Sequence, residues 1–148
     1  MYRILIANGV NLDLLGKRPK GIYGSGTLQD LEKLLRSQLP SLEASLKTKI
    51  ELSFFQSNEE AEYLNKISEK WDGALLNPGA WTHTSLALGD RLETLQLPFV
   101  EVHLSQLSKR EDFRQQSFLS VHALGVVHGF GLDSYLLGLH GLMRQLVL

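Results

Sequence analysis

The chain has 148 residues, 43% of them hydrophobic and 21% charged. This is a globular composition and, at roughly 150 residues per domain, the length of one domain. About 68–70% of the unfolded surface can be buried at this size, so no covalent staple is needed. The absence of cysteine excludes a disulfide scaffold, a cysteine nucleophile, a thiolate zinc site and an iron–sulfur cluster. It suits a reducing cytosol without fixing the compartment. Fifteen Lys+Arg against 16 Asp+Glu leave a net charge of −1, with no basic stripe of the kind that binds phosphate backbones, so no nucleic-acid partner is expected. No membrane partner is expected either, since no apolar stretch approaches the ~20 residues that span a bilayer. The N-terminal MYRILIANG reads as a first strand rather than a signal peptide. One soluble, cytoplasmic domain acting on a small molecule is predicted, spanning residues 1–148.

In chain order, the apolar run 4–7 ends at Asn8-Gly9 and reads as a strand followed by a turn. Thr27 opens a helix, with Asp30 completing a capping box. Leu28, Leu31, Leu35 and Leu39 follow at helical spacing as far as Pro40. Residues 49–56 (KIELSFFQ) form a second strand. Ser57-Asn58 can cap a second helix with an apolar face of Ala61, Leu64, Ile67 and Trp71. Residues 73–77 (GALLN) give a third strand, stopped by Pro78-Gly79, and a third helix carries Leu88, Leu92 and Leu95. Residues 98–103 (PFVEVH) and 123–128 (ALGVVH) supply two more strands. The last helix shows Leu132, Leu136, Leu139, Met143 and Leu146. The stretches 9–26 and 104–120 read as loops longer than most in compact domains. Alternating strands and helices predict an α/β protein: a flavodoxin-like, doubly wound, five-stranded parallel sheet with helices on both faces. Ligands in such folds bind outside the carboxyl ends of the strands.

Those ends are rich in polar groups. The first delivers Asn8 and Asn11, then Arg18 and Tyr23. The second delivers Gln56, Ser57 and Asn58, and the third Asn77 followed by Thr82, His83 and Thr84. The fourth delivers Glu101, His103 and Ser105, with Arg110 and Arg114 beyond. His103 closes an apolar strand and reads equally as a satisfied structural histidine. However, Glu101 lies two residues before it on the same strand face, where a carboxylate can fix the imidazole tautomer and support its charged form. Taken alone, the Thr-His-Thr around His83 suits helix capping, Tyr23 suits loop packing and Arg18 suits a solvated charge. No histidine has i, i+4 spacing to another ligand, so no metal is expected. Gly24-Ser25-Gly26-Thr27 lacks the Lys-Ser/Thr ending of a triphosphate loop and reads as a cap.

The blocks NGVNLDLLGKR with IYG, FFQSNEEAE, LLNPGAWTHTSLALGD, PFVEVHLS, and FRQQSFLS followed by GVVHGFG resemble, in order and spacing, those of type II 3-dehydroquinate dehydratases. The resemblance runs from Arg3 to about Leu139. It implies a flavodoxin-like enzyme that converts 3-dehydroquinate to 3-dehydroshikimate with no cofactor and no metal. By resemblance, Tyr23 matches the base, Arg18 the arginine that lowers the tyrosine pKa, and Asn11 the holder of a water at the enolate oxygen. His103, oriented by Glu101, matches the general acid. Asn77, Leu104 and Ser105 match carboxylate-binding positions, while His83, Asp90 and Arg114 match positions that bind hydroxyls or complete the site. The resemblance also implies a lid over residues 9–26 and a homo-oligomer, a dodecamer built from trimers, in which Asp90 serves a neighbouring subunit.

This chain departs from the family pattern at Val10, where proline is usual, at Trp81, at Gln115-Gln116, and at His122 and His128. The other readings are a related lyase or isomerase acting on another hydroxy-keto acid, and a flavin-binding or receiver module. A receiver would need clustered acids after the first strand, where Asn8 and Asn11 stand.

Overall fold

A strand of continuous apolar residues has no face to offer water and must be covered on both sides. The computed structural model, which describes residues 1–17, 21 and 26–148, meets that demand with five strands and five helices among the described residues. They run β1 (Tyr2–Asn8), α1 (Leu28–Leu46), β2 (Ile50–Gln56), α2 (Glu60–Ile67), β3 (Gly73–Asn77), the single turn α3 (Trp81–Thr84), α4 (Leu86–Leu95), β4 (Phe99–His103), β5 (Gly125–His128) and α5 (Asp133–Val147). The sheet order is β2-β1-β3-β4-β5 and every pairing is parallel. This is the flavodoxin-like order, as the alternation of elements predicts.

Side chains alternate across each strand, so every strand feeds two cores. Ile4, Ile6, Leu75, Val100 and Val102 pack with Leu31 and Leu35 of α1 and with Tyr135, Leu139 and Met143 of α5. Leu5, Ala7, Ala74, Leu76 and Phe99 pack with Tyr63 and Ile67 of α2 and with Leu88 and Leu92 of α4. The register sets the strand ends level: Asn8 pairs with both Gln56 and Asn77, and His103 pairs with His128. The polar residues that close the strands therefore share one rim.

Local readings hold at several points and fail at others. The capping box at Thr27 and Asp30 forms in full. The helix does not end at Pro40 but continues to Leu46. Pro40 lacks an N–H to donate back to the preceding turn, yet stopping there would leave Leu42 and Leu46 unburied, and both pack on the α1/α5 core. Burial outweighs the one lost hydrogen bond.

Ser57-Asn58 does not cap α2. Glu59 is the N-cap, and the Ser57 hydroxyl accepts from Glu59 N–H and donates to Glu62 Oε2. The buried face of α2 is Tyr63 and Ile67; Ala61 is exposed, and Trp71 follows the helix, its Nε1–H donating to the Lys66 carbonyl. The 104–120 loop is less irregular than expected, with 3-10 turns at Leu107–Lys109 and Asp112–Arg114. The first long loop opens with a 3-10 turn at Leu12–Leu14, and Leu12 and Leu15 are buried. Most of the remainder of the expected lid, with Arg18 and Tyr23, lies outside the described residues. Among the described residues no helix is long and apolar enough to cross a membrane.

Candidate active site

A cleft enclosing about 110 Å³ opens at the carboxyl ends of β1, β3 and β4, where this fold places its ligands. Asn11, Asn77, His83, His103, Leu104, Ser105, Arg110 and Arg114 all line it. Of the nine predicted site positions among the described residues, eight lie in or, for Glu101, directly behind the cleft. The ninth, Asp90, is exposed on α4, where its carbonyl accepts from Thr94 Oγ1, and does not line the cleft of its own chain.

Asn11 sits at φ 67°, ψ 0°, a left-handed conformation that asparagine tolerates better than most residues. Its backbone N–H donates to Asn58 Oδ1 at 2.9 Å, and Asn58 Nδ2 donates in turn to Asp13 Oδ2. These bonds tie the first loop to the end of β2. On β3, Asn77 is 3% exposed. Its Oδ1 accepts from Gly79 N–H at 3.1 Å and its Nδ2 donates to the Tyr135 hydroxyl at 2.8 Å. That hydroxyl donates to Asn8 Oδ1 at 2.5 Å. Burial pushes the Tyr135 phenol well above its ordinary pKa, so it stays protonated and can only donate toward Asn8. Both bonds set the amide of Asn77. The turn beyond it needs Gly79, whose φ is +65° and where a Cβ would meet the Val10 carbonyl oxygen at 2.6 Å.

The short helix α3 carries His83 to the cleft wall. Its Nδ1 lies 2.7 Å from the carbonyl oxygen of Gln116. A carbonyl only accepts, so Nδ1 carries the proton and Nε2 of the neutral ring keeps a lone pair, suited to a ligand hydroxyl. Burial lowers the His83 pKa, the Gln116 carbonyl opposes that, and His103 and Arg114 add to the lowering. The neutral form is thereby favoured. The rings of His83 and His103 lie nearly parallel, 6.3 Å apart.

Glu101 is 1% exposed, and a charge so buried must be paired. Its Oε1 accepts from Ser117 Oγ at 2.5 Å and its Oε2 from Ser120 Oγ at 2.9 Å. His103 Nε2 stands 3.5 Å from Oε2, a close ion-pair distance but longer than an ordinary hydrogen bond. Burial raises the Glu101 pKa, but the His103 imidazole, followed by the two serine hydroxyls, outweighs it. The carboxyl is held below its usual value.

Arg110 donates to Ser105 Oγ at 3.2 Å, and Arg114 pairs with Glu111 at 2.8 Å. The lining among the described residues thus holds two guanidinium groups and no carboxylate. Such a wall favours an anionic ligand.

Sequence reasoning assigned no role to Tyr135, Ser117, Ser120 or Gln116, and it placed Asn8 and Arg110 at the strand ends without a specific role. Tyr135 was hidden because the last helix was read through its leucines. The serines stand in the FRQQSFLS block, but nothing in spacing alone connects that block to Glu101.

Fold and cleft together define a flavodoxin-like α/β protein with a buried carboxylate–imidazole pair and an arginine-rimmed pocket at the strand ends. The family pattern described as Dehydroquinase class II matches residues 2–143, and the chain belongs to that family. It is 49% identical over 146 residues to a Prochlorococcus marinus (strain NATL1A) protein named 3-dehydroquinate dehydratase, covering 97% of each chain. It is 47% identical over 146 residues to a protein of the same name from Nostoc sp., covering 97% of this chain and 95% of that one. Among solved structures, the type II dehydroquinase of Butyrivibrio crossotus superposes with a TM-score of 0.87 at 34% identity, over 96% of this chain and 97% of that one.

Proposed function

We propose that this protein is a hydro-lyase that dehydrates 3-dehydroquinate to 3-dehydroshikimate through an enolate. The observation that carries the reading is the Glu101–His103 pair at the base of a cleft rimmed by Arg110 and Arg114. The arrangement suits a substrate that is a carboxylate and must lose a hydroxyl with a proton supplied to it. Membership of the dehydroquinase family narrows that substrate class to 3-dehydroquinate.

In this scheme the Tyr23 phenolate removes a proton from the carbon beside the ketone, and the electron pair moves onto the carbonyl oxygen. Asn11 holds a water at that oxygen. Collapse of the enolate expels the β-hydroxyl, which takes a proton from His103 and leaves as water. Asn77, Leu104 and Ser105 hold the carboxylate, and His83, with its Nε2 lone pair, accepts from a ring hydroxyl beside Arg114. No cofactor enters the scheme.

The step that needs most help is the base, because an unperturbed tyrosine titrates near 10. Lowering it by about 3 units takes roughly 4 kcal/mol. One unit charge at ~4 Å with an effective dielectric of ~20 supplies about that much, so a single arginine, Arg18, is a perturbation of the right size. The proposal includes a cytoplasmic dodecamer built from trimers, in which the exposed Asp90 completes a neighbour's cleft. It also includes a lid over residues 9–26 that closes on substrate.

The test is the growth of enone ultraviolet absorbance when purified protein meets 3-dehydroquinate, with Tyr23→Phe in parallel. Growth in the wild type and none in the variant is expected. Growth in both would remove Tyr23 from its role, and no growth in a folded wild type would refute the substrate.

A further inference from the structure

Residues 116–120 bond to His83 and to the Glu101 that faces His103, and none of them lines the cleft. The Gln116 carbonyl accepts from His83 Nδ1. Ser117 and Ser120 each donate to one oxygen of Glu101, whose Oε2 faces His103 Nε2. The segment is firmly seated: Leu119 is fully buried in the α2/α4 core, and Phe118 N–H donates to the Thr82 carbonyl at 3.0 Å. On α4, Gly89 lies so close that a Cβ there would stand 2.6 Å from the Phe118 carbonyl oxygen.

The direction of the hydroxyl protons follows from counting donors. Ser117 Oγ already accepts from the backbone N–H groups of Leu119 and Ser120. A hydroxyl offers two lone pairs and one proton, so that proton is committed to Glu101 Oε1. Ser120 fills a site on Oε2. Both oxygens accept from a hydroxyl, which favours the charged form, and Glu101 is held as a carboxylate. An anion at Oε2 demands a proton on the nitrogen that faces it.

We propose that residues 116–120 form a positioning strap that gives the two cleft histidines opposite tautomers, Nδ1–H on His83 and Nε2–H on His103. The consequence for the chemistry rests on the function proposed above. With Nε2–H turned to Glu101, neutral His103 has a bare Nδ1 and no second proton, so only its imidazolium can protonate a leaving hydroxyl. In donating, that imidazolium gives up the Nδ1 proton and returns to the Nε2–H tautomer. The strap therefore acts through Glu101 on the population of the acid, and it touches no reacting atom.

Among the described residues, the charged and titratable groups around His103 are Glu101 on its own strand, His83 on α3, Arg110 and Arg114 from the 104–120 loop, and His128 beside it in register on β5. Serine variants leave all of them in place. The test reads the ring nitrogens directly, by two-bond proton–nitrogen correlation on protein carrying 15N-histidine, with assignment by His83→Gln and His103→Gln.

Wild-type protein is expected to show a bare Nε2 on His83 and a bare Nδ1 on His103. In the Ser117→Ala/Ser120→Ala double variant, His103 becomes a mixture of tautomers, because Glu101 has lost the two donors that hold its carboxylate in place. His83 keeps its wild-type signals, and a Ser117→Thr variant retains those of wild-type His103. With 3-dehydroquinate, kcat of the double variant falls about tenfold while KM stays within about twofold. A bare Nε2 on wild-type His103, or a double variant whose His103 signals match wild type, would overturn the proposal. Should the double variant not fold, Ser120→Ala alone is scored on the same signals. The spectra need no substrate, so the expected tautomers in a protein that does not dehydrate 3-dehydroquinate would refute the function and leave the strap standing.

Discussion

Tyr135→Phe removes one oxygen atom and keeps the ring that fills the α1/α5 core, so it isolates a hydrogen-bond network from the packing around it. In the wild type the hydroxyl donates to Asn8 at 2.5 Å and accepts from Asn77 at 2.8 Å, with Tyr135 wholly buried. Its loss orphans Asn8 Oδ1 and one Nδ2 proton of Asn77, and a buried group left unpaired costs about 1–3 kcal/mol. Asn77 keeps its bond from Gly79 N–H, which limits how far its amide can turn to recover a partner. The two losses together are expected to destabilise the fold by about 2–4 kcal/mol. At roughly 2–4 °C per kcal/mol for a chain of this size, Tm falls by about 5–15 °C. Urea melts at one fixed protein concentration, so that any assembly contributes equally, should show a lower midpoint with an unchanged slope. Because Asn77 also lines the cleft, KM for 3-dehydroquinate should rise in the same variant. A loss of stability under about 0.5 kcal/mol would refute the reasoning, since neither partner could then depend on the phenol.

Glu101→Gln should flatten the acid side of the stability profile. The carboxyl is held below its ordinary 4.5, so its contribution is complete above that value and is lost as pH falls through the lower folded one. Urea midpoints at pH 7 and pH 3 should differ less in the variant than in wild type, and equal differences would remove Glu101 from the acid response. His83 is held below its ordinary 6.5, so its Nε2 stays an acceptor until the pH drops beneath that value. KM for 3-dehydroquinate should rise as the medium turns more acid. His83→Ala should raise KM about tenfold, a loss of about 1.4 kcal/mol, and abolish the acid rise; an unchanged profile would exclude the contact. Pro40→Ala restores an N–H inside α1 at an exposed position. An interior proline costs about 3 kcal/mol against alanine, less about 1 kcal/mol for the stiffer unfolded chain. Calorimetry should therefore find the variant more stable by about 1–2 kcal/mol, and a lower Tm would mean the helix is already relaxed around the ring.

Much of this protein is determined locally. The capping box at Thr27 needs only Asp30 three residues on. The fully buried runs of β1, β3 and β4 follow from apolar stretches too short to be helices, and their alternation with leucine-patterned segments forces parallel strands with covered faces. Once that topology holds, the rim residues Asn77, His83, Glu101 and His103 must meet, because the carboxyl ends of parallel strands point the same way. The Glu101–His103 pair could be read from a spacing of two on one strand for the same reason.

Tertiary structure decided what depends on distant partners. Helix α1 passes Pro40 because Leu42 and Leu46 find a core, which no local propensity records. Ala61 faces out and Tyr63 faces in because α2 is rotated to bring the Tyr63 hydroxyl to the Ala7 carbonyl. Tyr135 reaches Asn8 across 127 positions of sequence, and Ser117 reaches Glu101 across 16. Periodicity reports which face of an element is apolar. It cannot report which polar atom on another element that face will meet, since the partner is set by register, sheet order and packing of the whole chain.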